Sequence, residues 1–235
     1  MDEKHSLNIA ARIIAAGGGS GEDERPLVAH FANRVGTGKI LYVPAALKGL
    51  RPFDECLEWV QRALGQCGVT DIDMWTDLSA ENHGALDGYA GIYIGGGNTY
   101  SLLAQVRESG FDIALRGYLD RGGAVYGGSA GAILLGRDIL TCSHLDHNDI
   151  GLTDTRGLDE LGGCCVWCHY QPADDPLIEA FLAQYGWPVL AISERAGVSY
   201  EDGVITAMGY DPTQVFTTGG RQAAAPGERI TIPSE

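Results

Sequence analysis

The stretch Gly127-Gly128-Ser129-Ala130-Gly131 decides the fold, together with the apolar residues on either side of it. Residues 124–126, Ala-Val-Tyr, have the pattern of a buried strand, and residues 130–135 continue as a helix. A strand that turns sharply into a helix at Gly-x-Ser-x-Gly lifts the serine above the sheet edge, where it can act as a nucleophile. Small residues also recur in ordinary turns, so the pentapeptide alone leaves both interpretations open.

Strand-like and helix-like segments alternate over the first two thirds of the chain. The predicted strands cover residues 9–16, 39–43, 69–75, 91–94 and 124–126. The predicted helices cover residues 26–35, 53–64, 100–106, 113–119 and 130–135. This alternation indicates parallel β-α-β units. We therefore expect an α/β fold of three layers, with a mostly parallel central sheet and helices on both faces.

The last third of the chain has a less regular pattern. Strands are predicted at residues 164–170 and 189–193, with a helix at 176–185 between them. Residues 197–200 and 204–208 resemble a hairpin, and 215–218 and 230–232 are candidate edge strands. Repeats, low-complexity tracts and linkers are not evident, so we expect one domain over residues 1–235.

Composition and charge exclude several functional classes. The net charge of −15 disfavours a nucleic-acid partner, whose phosphates need Lys and Arg. The amino terminus lacks a basic stretch leading into an apolar segment, and no window has the length of a membrane span. We therefore expect a cytoplasmic protein with no membrane partner, either a monomer or a homodimer. Its six cysteines are expected to be reduced and mostly buried.

Three loops are predicted at the carboxyl ends of strands, where α/β sheets form their sites. They are residues 17–21, residues 95–98 and the turn at Ser129. Two glycine-rich loops beside a nucleophile suggest backbone N–H groups aimed at an oxyanion. The loops match neither the dinucleotide nor the Walker pattern, so nucleotide binding is a weak alternative.

A serine nucleophile needs a base, and histidine is the usual one because its pKa lies near neutrality. His169 is the leading candidate because it ends an apolar run after the serine. The other five are His5 in the presumed frayed amino terminus, His30 in a helix, His83 in a polar loop, and His144 and His147 in a polar stretch.

Two patterns permit a metal or haem interpretation. His144, Asp146, His147 and Asp149 are close enough in sequence to bind Zn²⁺ or Mn²⁺, but a solvated polar loop is favoured. Residues 165–169, Cys-Val-Trp-Cys-His, fit the c-type haem attachment pattern. Buried thiols are favoured there because the cysteines lie in an apolar strand. We expect neither a metal nor a cofactor.

Two motifs together resemble a known family. Residues 92–103, Ile-Tyr-Ile-Gly-Gly-Gly-Asn-Thr-Tyr-Ser-Leu-Leu, and residues 127–132, Gly-Gly-Ser-Ala-Gly-Ala, are similar to those of peptidase E, the aspartyl dipeptidase family of serine peptidases. Cyanophycinases are relatives. The resemblance runs over most of the chain and is densest from Tyr93 to Glu194. It implies a class I glutamine amidotransferase-like fold.

The resemblance also implies site residues. Ser129 corresponds to the nucleophile and His169 to the base, while the Gly97 and Ala130 amides correspond to the oxyanion hole. Glu194, at the end of an apolar strand, corresponds to the third triad member, and Asp149 is the alternative acid.

Substrate recognition is expected from Gly96 and Asn98 in the glycine-rich motif. The family's cation for an aspartyl carboxylate has no match between His169 and Arg195, so Arg137 or Arg195 would have to substitute.

We therefore expect a Ser-His-Glu peptidase that hydrolyses short peptides through an acyl-enzyme, with N-terminal Asp-X dipeptides as candidate substrates. A cyanophycinase-like hydrolase of β-linked aspartyl peptides is one alternative. A non-catalytic binding protein on the same fold is the other.

Overall fold

A central eight-stranded sheet forms the middle layer of the protein in the computed structural model, which describes residues 12–232. Its strands lie in the order β12-β9-β8-β1-β5-β4-β2-β3. They are β1 (Arg12–Ala16), β2 (Ile40–Val43), β3 (Ile72–Met74), β4 (Gly91–Ile94), β5 (Ala124–Gly128), β8 (Ala196–Glu201), β9 (Val204–Gly209) and β12 (Arg229–Ile230). The first five are mutually parallel, and the last three add antiparallel pairs.

Helices cover both faces of this sheet. They are α1 (Arg25–Val35), α2 (Phe53–Gly65), α3 (Thr99–Glu108), α4 (Phe111–Asp120), α5 (Ala130–Leu135) and α6 (Asp175–Tyr185). Alternate residues of β1 separate the two faces, since Ile14 packs with α1 and α2 while Ile13 packs with α3, α4 and α5. The expected three-layer α/β fold is therefore confirmed.

A second, four-stranded sheet carries part of the irregular last third. Its strands are β6 (Cys165–Trp167), β7 (Val189–Ala191), β10 (Thr213–Thr217) and β11 (Gly220–Ala224), in the order β11-β10-β7-β6. One face, with Val166 and Leu190, joins the core beneath α5, and the other face packs against α6. The strands predicted at residues 164–170 and 189–193 therefore lie outside the central sheet.

Two further details differ from the sequence prediction. The candidate edge strand at residues 215–218 falls on β10, which has neighbours on both sides. Strand β11 is not predicted from the sequence, because four of its five residues are exposed and the strand lacks an apolar alternation. The hairpin predicted around Asp202 is present as β8 and β9. Of the strand predicted at residues 9–16, residues 9–11 lie outside the described residues.

Candidate active site

Three neighbouring strands of the central sheet end at the same level. In the register of β1 and β5, Ala16 is opposite Gly128. In the register of β4 and β5, Ile94 is opposite Gly127. The loops that follow these strands therefore meet at one edge, as the sequence predicted for the glycine-rich loops and the serine turn.

Ser129 occupies a strained turn between β5 and α5. Its backbone has φ 49° and ψ −111°, a conformation that non-glycine residues seldom adopt. Neighbouring glycines are needed for close packing, because a Cβ on Gly131 would lie 2.3 Å from the Ile94 carbonyl oxygen. The Ser129 amide donates to the Ala16 carbonyl at 3.1 Å and ties the turn to β1. Backbone strain held in this way is typical of functional positions.

His169 approaches the serine from the second sheet. It follows β6, has φ 53°, and its amide donates to the Gly17 carbonyl at 3.0 Å. The imidazole Nε2 lies 2.9 Å from Ser129 Oγ, within hydrogen-bond reach. Cys168 is buried just before it, and its thiol contacts the carbonyl oxygens of Ala16 and Ser129. The two sheets therefore meet at this pair of residues.

Glu194 is the carboxylate that contacts the histidine. It follows β7, the parallel neighbour of β6, so His169 and Glu194 leave the second sheet at the same edge. Glu194 Oε1 lies 3.2 Å from His169 Nδ1. Its side chain is 55% exposed. Asp149, the alternative acid, is exposed in the polar segment after α5 and is not among the recorded hydrogen-bond partners of His169.

The start of α5 and the glycine-rich loop after β4 contain the two predicted oxyanion-hole residues, Ala130 and Gly97. Ala130 is the first residue of α5, so its N–H has no carbonyl partner within the helix. Gly97 has φ +130°, and a Cβ there would lie 2.3 Å from the Ala46 carbonyl oxygen. A Cβ on Gly96 would lie 3.1 Å from Ser129 Cβ, so this glycine directly faces the serine.

A cavity of about 280 Å³ opens onto Ser129 and His169. Aromatic rings form much of its wall, and two charged residues, Glu24 and Arg51, also line it. The lining residues are Gly18, Gly19, Glu24, Tyr42, Leu47, Arg51, Cys56, Trp59, Tyr93, Gly95, Gly96, Gly97, Gly128, Ser129 and His169.

Sequence reasoning missed both charged residues. They follow β1 and β2, whose carboxyl ends share the edge where Ser129 lies, so the strand order would have indicated them.

Glu24 is the one carboxyl residue among the described residues that line the cavity. Only 3% of the residue is exposed. Its oxygens accept hydrogen bonds from the Gly18 amide at 3.1 Å and from the Tyr126 hydroxyl at 2.8 Å. Burial raises the pKa of Glu24 from 4.5 to about 7, although these two hydrogen bonds oppose the rise.

The other sequence-predicted substrate residues lie elsewhere. Asn98 caps α3 by accepting from the Ser101 amide and donates to the His147 carbonyl at 2.9 Å. Arg137 stacks over Trp187 and lines a different cavity. Arg195 lies over the Tyr210 ring, with its Nε 3.7 Å from an Asp211 oxygen. Arg51 is therefore the cation that lines the cavity within the described range 12–232.

The patterns that permitted a metal or haem site have structural roles. Cys165 packs against α6, whereas Cys168 packs in the main core, so the two thiols belong to different clusters. Burial raises the pKa of Cys165 to about 12. His144 stacks on Trp167 with ring centroids 4.0 Å apart, and Asp146 accepts from the Thr99 amide. Within residues 12–232, no three His, Cys, Asp or Glu side chains are grouped for a metal ion.

The helices are too short or too polar to cross a bilayer, as judged over the part of the chain that the structure describes.

The chain is similar to known proteins in sequence and in fold. Peptidase E of Salmonella typhimurium is 32% identical over 143 residues, which cover 60% of this chain and 57% of that protein. Peptidase E of Haemophilus influenzae is 32% identical over 106 residues, or 45% of this chain and 47% of that protein. The chain therefore spans about half the length of the curated relatives it matches.

A crystal structure of a peptidase from an acI-B1 Actinobacterium superposes with a TM-score of 0.76 and 17% identity. The superposition covers 96% of this chain and 98% of that one. The model of peptidase family S51 matches residues 13–208, which include Ser129, His169 and Glu194. On this match over most of its length, the chain belongs to peptidase family S51.

Proposed function

We propose that this protein is a serine peptidase that hydrolyses short peptides with Ser129 as nucleophile, His169 as base and Glu194 as the group that orients the base. The contact of 2.9 Å between Ser129 Oγ and His169 Nε2 carries the proposal. The strained backbone at Ser129 and membership of peptidase family S51 support it.

The proposed reaction follows from this geometry. His169 Nε2 accepts the hydroxyl proton as Ser129 Oγ attacks the peptide carbonyl carbon. The Gly97 and Ala130 amides stabilise the negative oxygen of the tetrahedral intermediate. The imidazolium then protonates the leaving amine, and an acyl-enzyme remains. Water, deprotonated by His169, hydrolyses the ester and regenerates the serine.

The nucleophile is tested by Ser129→Ala, with Ser143→Ala as a control because Ser143 is an exposed serine that does not line the cavity. We expect Ser129→Ala to lower kcat by about 10⁴-fold or more. A fluorophosphonate probe should label the wild type and Ser143→Ala but not Ser129→Ala. Full activity in Ser129→Ala would contradict the mechanism. Folded wild-type protein that neither reacts with the probe nor cleaves peptides would indicate a binding protein instead.

We also propose that the substrate's amino-terminal residue is aspartate, with Arg51 as the cation that binds its side chain. Arg51 lines the cavity, and its charge partly offsets the effect of burial on the pKa of the Cys56 thiol. No described residue forms an ion pair with Arg51 in the structure. The guanidinium is therefore available to a substrate carboxylate.

Rates on Asp-Leu, Ala-Leu and β-Asp-Arg test this preference. We expect Arg51→Gln to lower kcat/KM for Asp-Leu about tenfold more than for Ala-Leu. An equal loss on both dipeptides would exclude Arg51 as the specificity residue. Faster cleavage of β-Asp-Arg than of Asp-Leu would favour the cyanophycinase-like alternative.

A further inference from the structure

Glu24 brings a buried carboxylate to the cavity that holds Ser129. It is connected to the candidate nucleophile through a single residue, Gly18, whose amide donates to Glu24 Oε1 at 3.1 Å. A Cβ on Gly18 would lie 2.8 Å from Ser129 Cβ and 2.6 Å from His169 Nε2. Glu24 therefore lines the same cavity as Ser129 and His169, on the side of Gly18.

Within residues 12–232, no cation is paired with this carboxylate. The described groups that donate hydrogen bonds to it are the Tyr126 hydroxyl and the Gly18 and Gly19 amides, and all three are neutral. A buried carboxylate without a counter-charge is costly, which is why burial raises its pKa. A carboxylate has about four lone-pair sites, so three neutral donors leave one for a further donor. A cationic donor in the cavity would lower the cost of the buried charge.

The rest of the wall suits a compact cationic group. Tyr42, Trp59 and Tyr93 line the same cavity, and aromatic rings attract cations. The volume of about 280 Å³ lies just below the usual range for small-ligand sites, about 300–1,000 Å³, so the cavity suits a small group. In a short peptide whose first carbonyl is attacked by Ser129, the cation nearest to the reacting carbon is the α-ammonium group.

We propose that Glu24 binds the free α-ammonium group of the substrate and so restricts cleavage to the bond after an amino-terminal residue. This inference rests on the proposed function, because it takes Ser129 as the nucleophile. The amino-terminal residue of the substrate would then be held by two protein side chains. Glu24 binds its ammonium group, and Arg51 binds its acidic side chain.

The test uses substrate pairs that differ only in the amino group. Aspartyl p-nitroanilide is compared with succinyl p-nitroanilide, and alanyl p-nitroanilide with propionyl p-nitroanilide. We expect the wild type to prefer the amine-bearing member of each pair by about 10²-fold in kcat/KM. In Glu24→Gln this ratio should fall below about tenfold, mainly through the amine-bearing substrates.

Tyr126→Phe is the matched control. It removes one neutral donor to Glu24 but keeps the carboxylate, so the amine preference should remain. An equal loss on both members of a pair in Glu24→Gln would show that Glu24 only supports the loop, and would overturn the proposal. A wild-type ratio near one would overturn it without any variant. Absence of cleavage of all four compounds by the wild type would overturn the proposed function as well.

Discussion

The two sides of the candidate active site are built in different ways. On the side of the central sheet, Ser129 faces glycine backbone, and added side-chain atoms on Gly18 or Gly131 would collide with neighbouring atoms. On the side of the second sheet, His169 and Glu194 are side chains that are 30% and 55% exposed. The first side is fixed by close packing of the backbone, whereas the second depends on a few hydrogen bonds at the surface. This difference predicts where substitutions alter activity, stability or both.

The largest effect in this comparison is expected at the exposed carboxylate. Glu194→Gln removes the negative charge beside His169 Nδ1, so it weakens the imidazolium and the orientation of the ring. We expect kcat to fall about 10²-fold with an unchanged melting temperature, because the side chain is exposed. Asp149→Asn serves as the control and should leave kcat unchanged. A loss in Asp149→Asn and none in Glu194→Gln would reverse the assignment of the third triad member.

The next effect concerns stability on the buried side. The pKa of Glu24 is raised from 4.5 to about 7, so the folded state favours the protonated acid, and the wild type loses stability as the pH rises from about 4.5 through 7. Glu24→Gln lacks this titration. Its free energy of unfolding relative to the wild type should therefore increase by about 2 kcal/mol between pH 5.5 and pH 8 in urea denaturation. A difference that is constant across this range would exclude an uncompensated charge at Glu24.

The smallest effect is expected at Gly18, whose backbone lies against Ser129 and His169. Gly18→Ala places a Cβ about 2.4 Å from His169 Cε1 at φ +97°, so the ring must move. Gly21→Ala is the control, since Gly21 also has a positive φ (+50°) but open space around it. Both variants should lose melting temperature because both strain the backbone, and Gly18→Ala should lose more because its Cβ also collides with His169 and Ser129. Only Gly18→Ala should lower kcat, by about tenfold. Equal kcat values in Gly18→Ala and Gly21→Ala would show that the contact with Gly18 does not position His169.

On the central-sheet side, sequence alone predicts the glycine-rich backbone around Ser129 but not the charged residues Glu24 and Arg51. Apolar runs that end in glycine marked β1, β4 and β5, and parallel strands end at a common edge, so Ser129, Gly96 and Gly97 were placed together correctly. Their chemical roles remain predictions.

The second sheet could not be predicted in the same way. Strands β6 and β7 are short apolar runs of three residues, with the same pattern as strands of the central sheet. Periodicity shows that such a run is buried but does not show which sheet it joins. Glu24 and Arg51 were missed for a related reason, because only the strand order brings the loops after β1 and β2 to the serine.

The residues of the candidate active site that come from the second sheet are synthesised after Ser129. The proposed nucleophile Ser129 precedes the proposed base His169 by 40 residues, and His169 precedes Glu194 by a further 25. A chain growing from its amino terminus therefore completes the strand before Ser129 while His169 is still to be made. A nascent or truncated chain that ends before residue 169 contains the serine but has no base to activate it. The proposed activity therefore requires a chain that extends past Glu194.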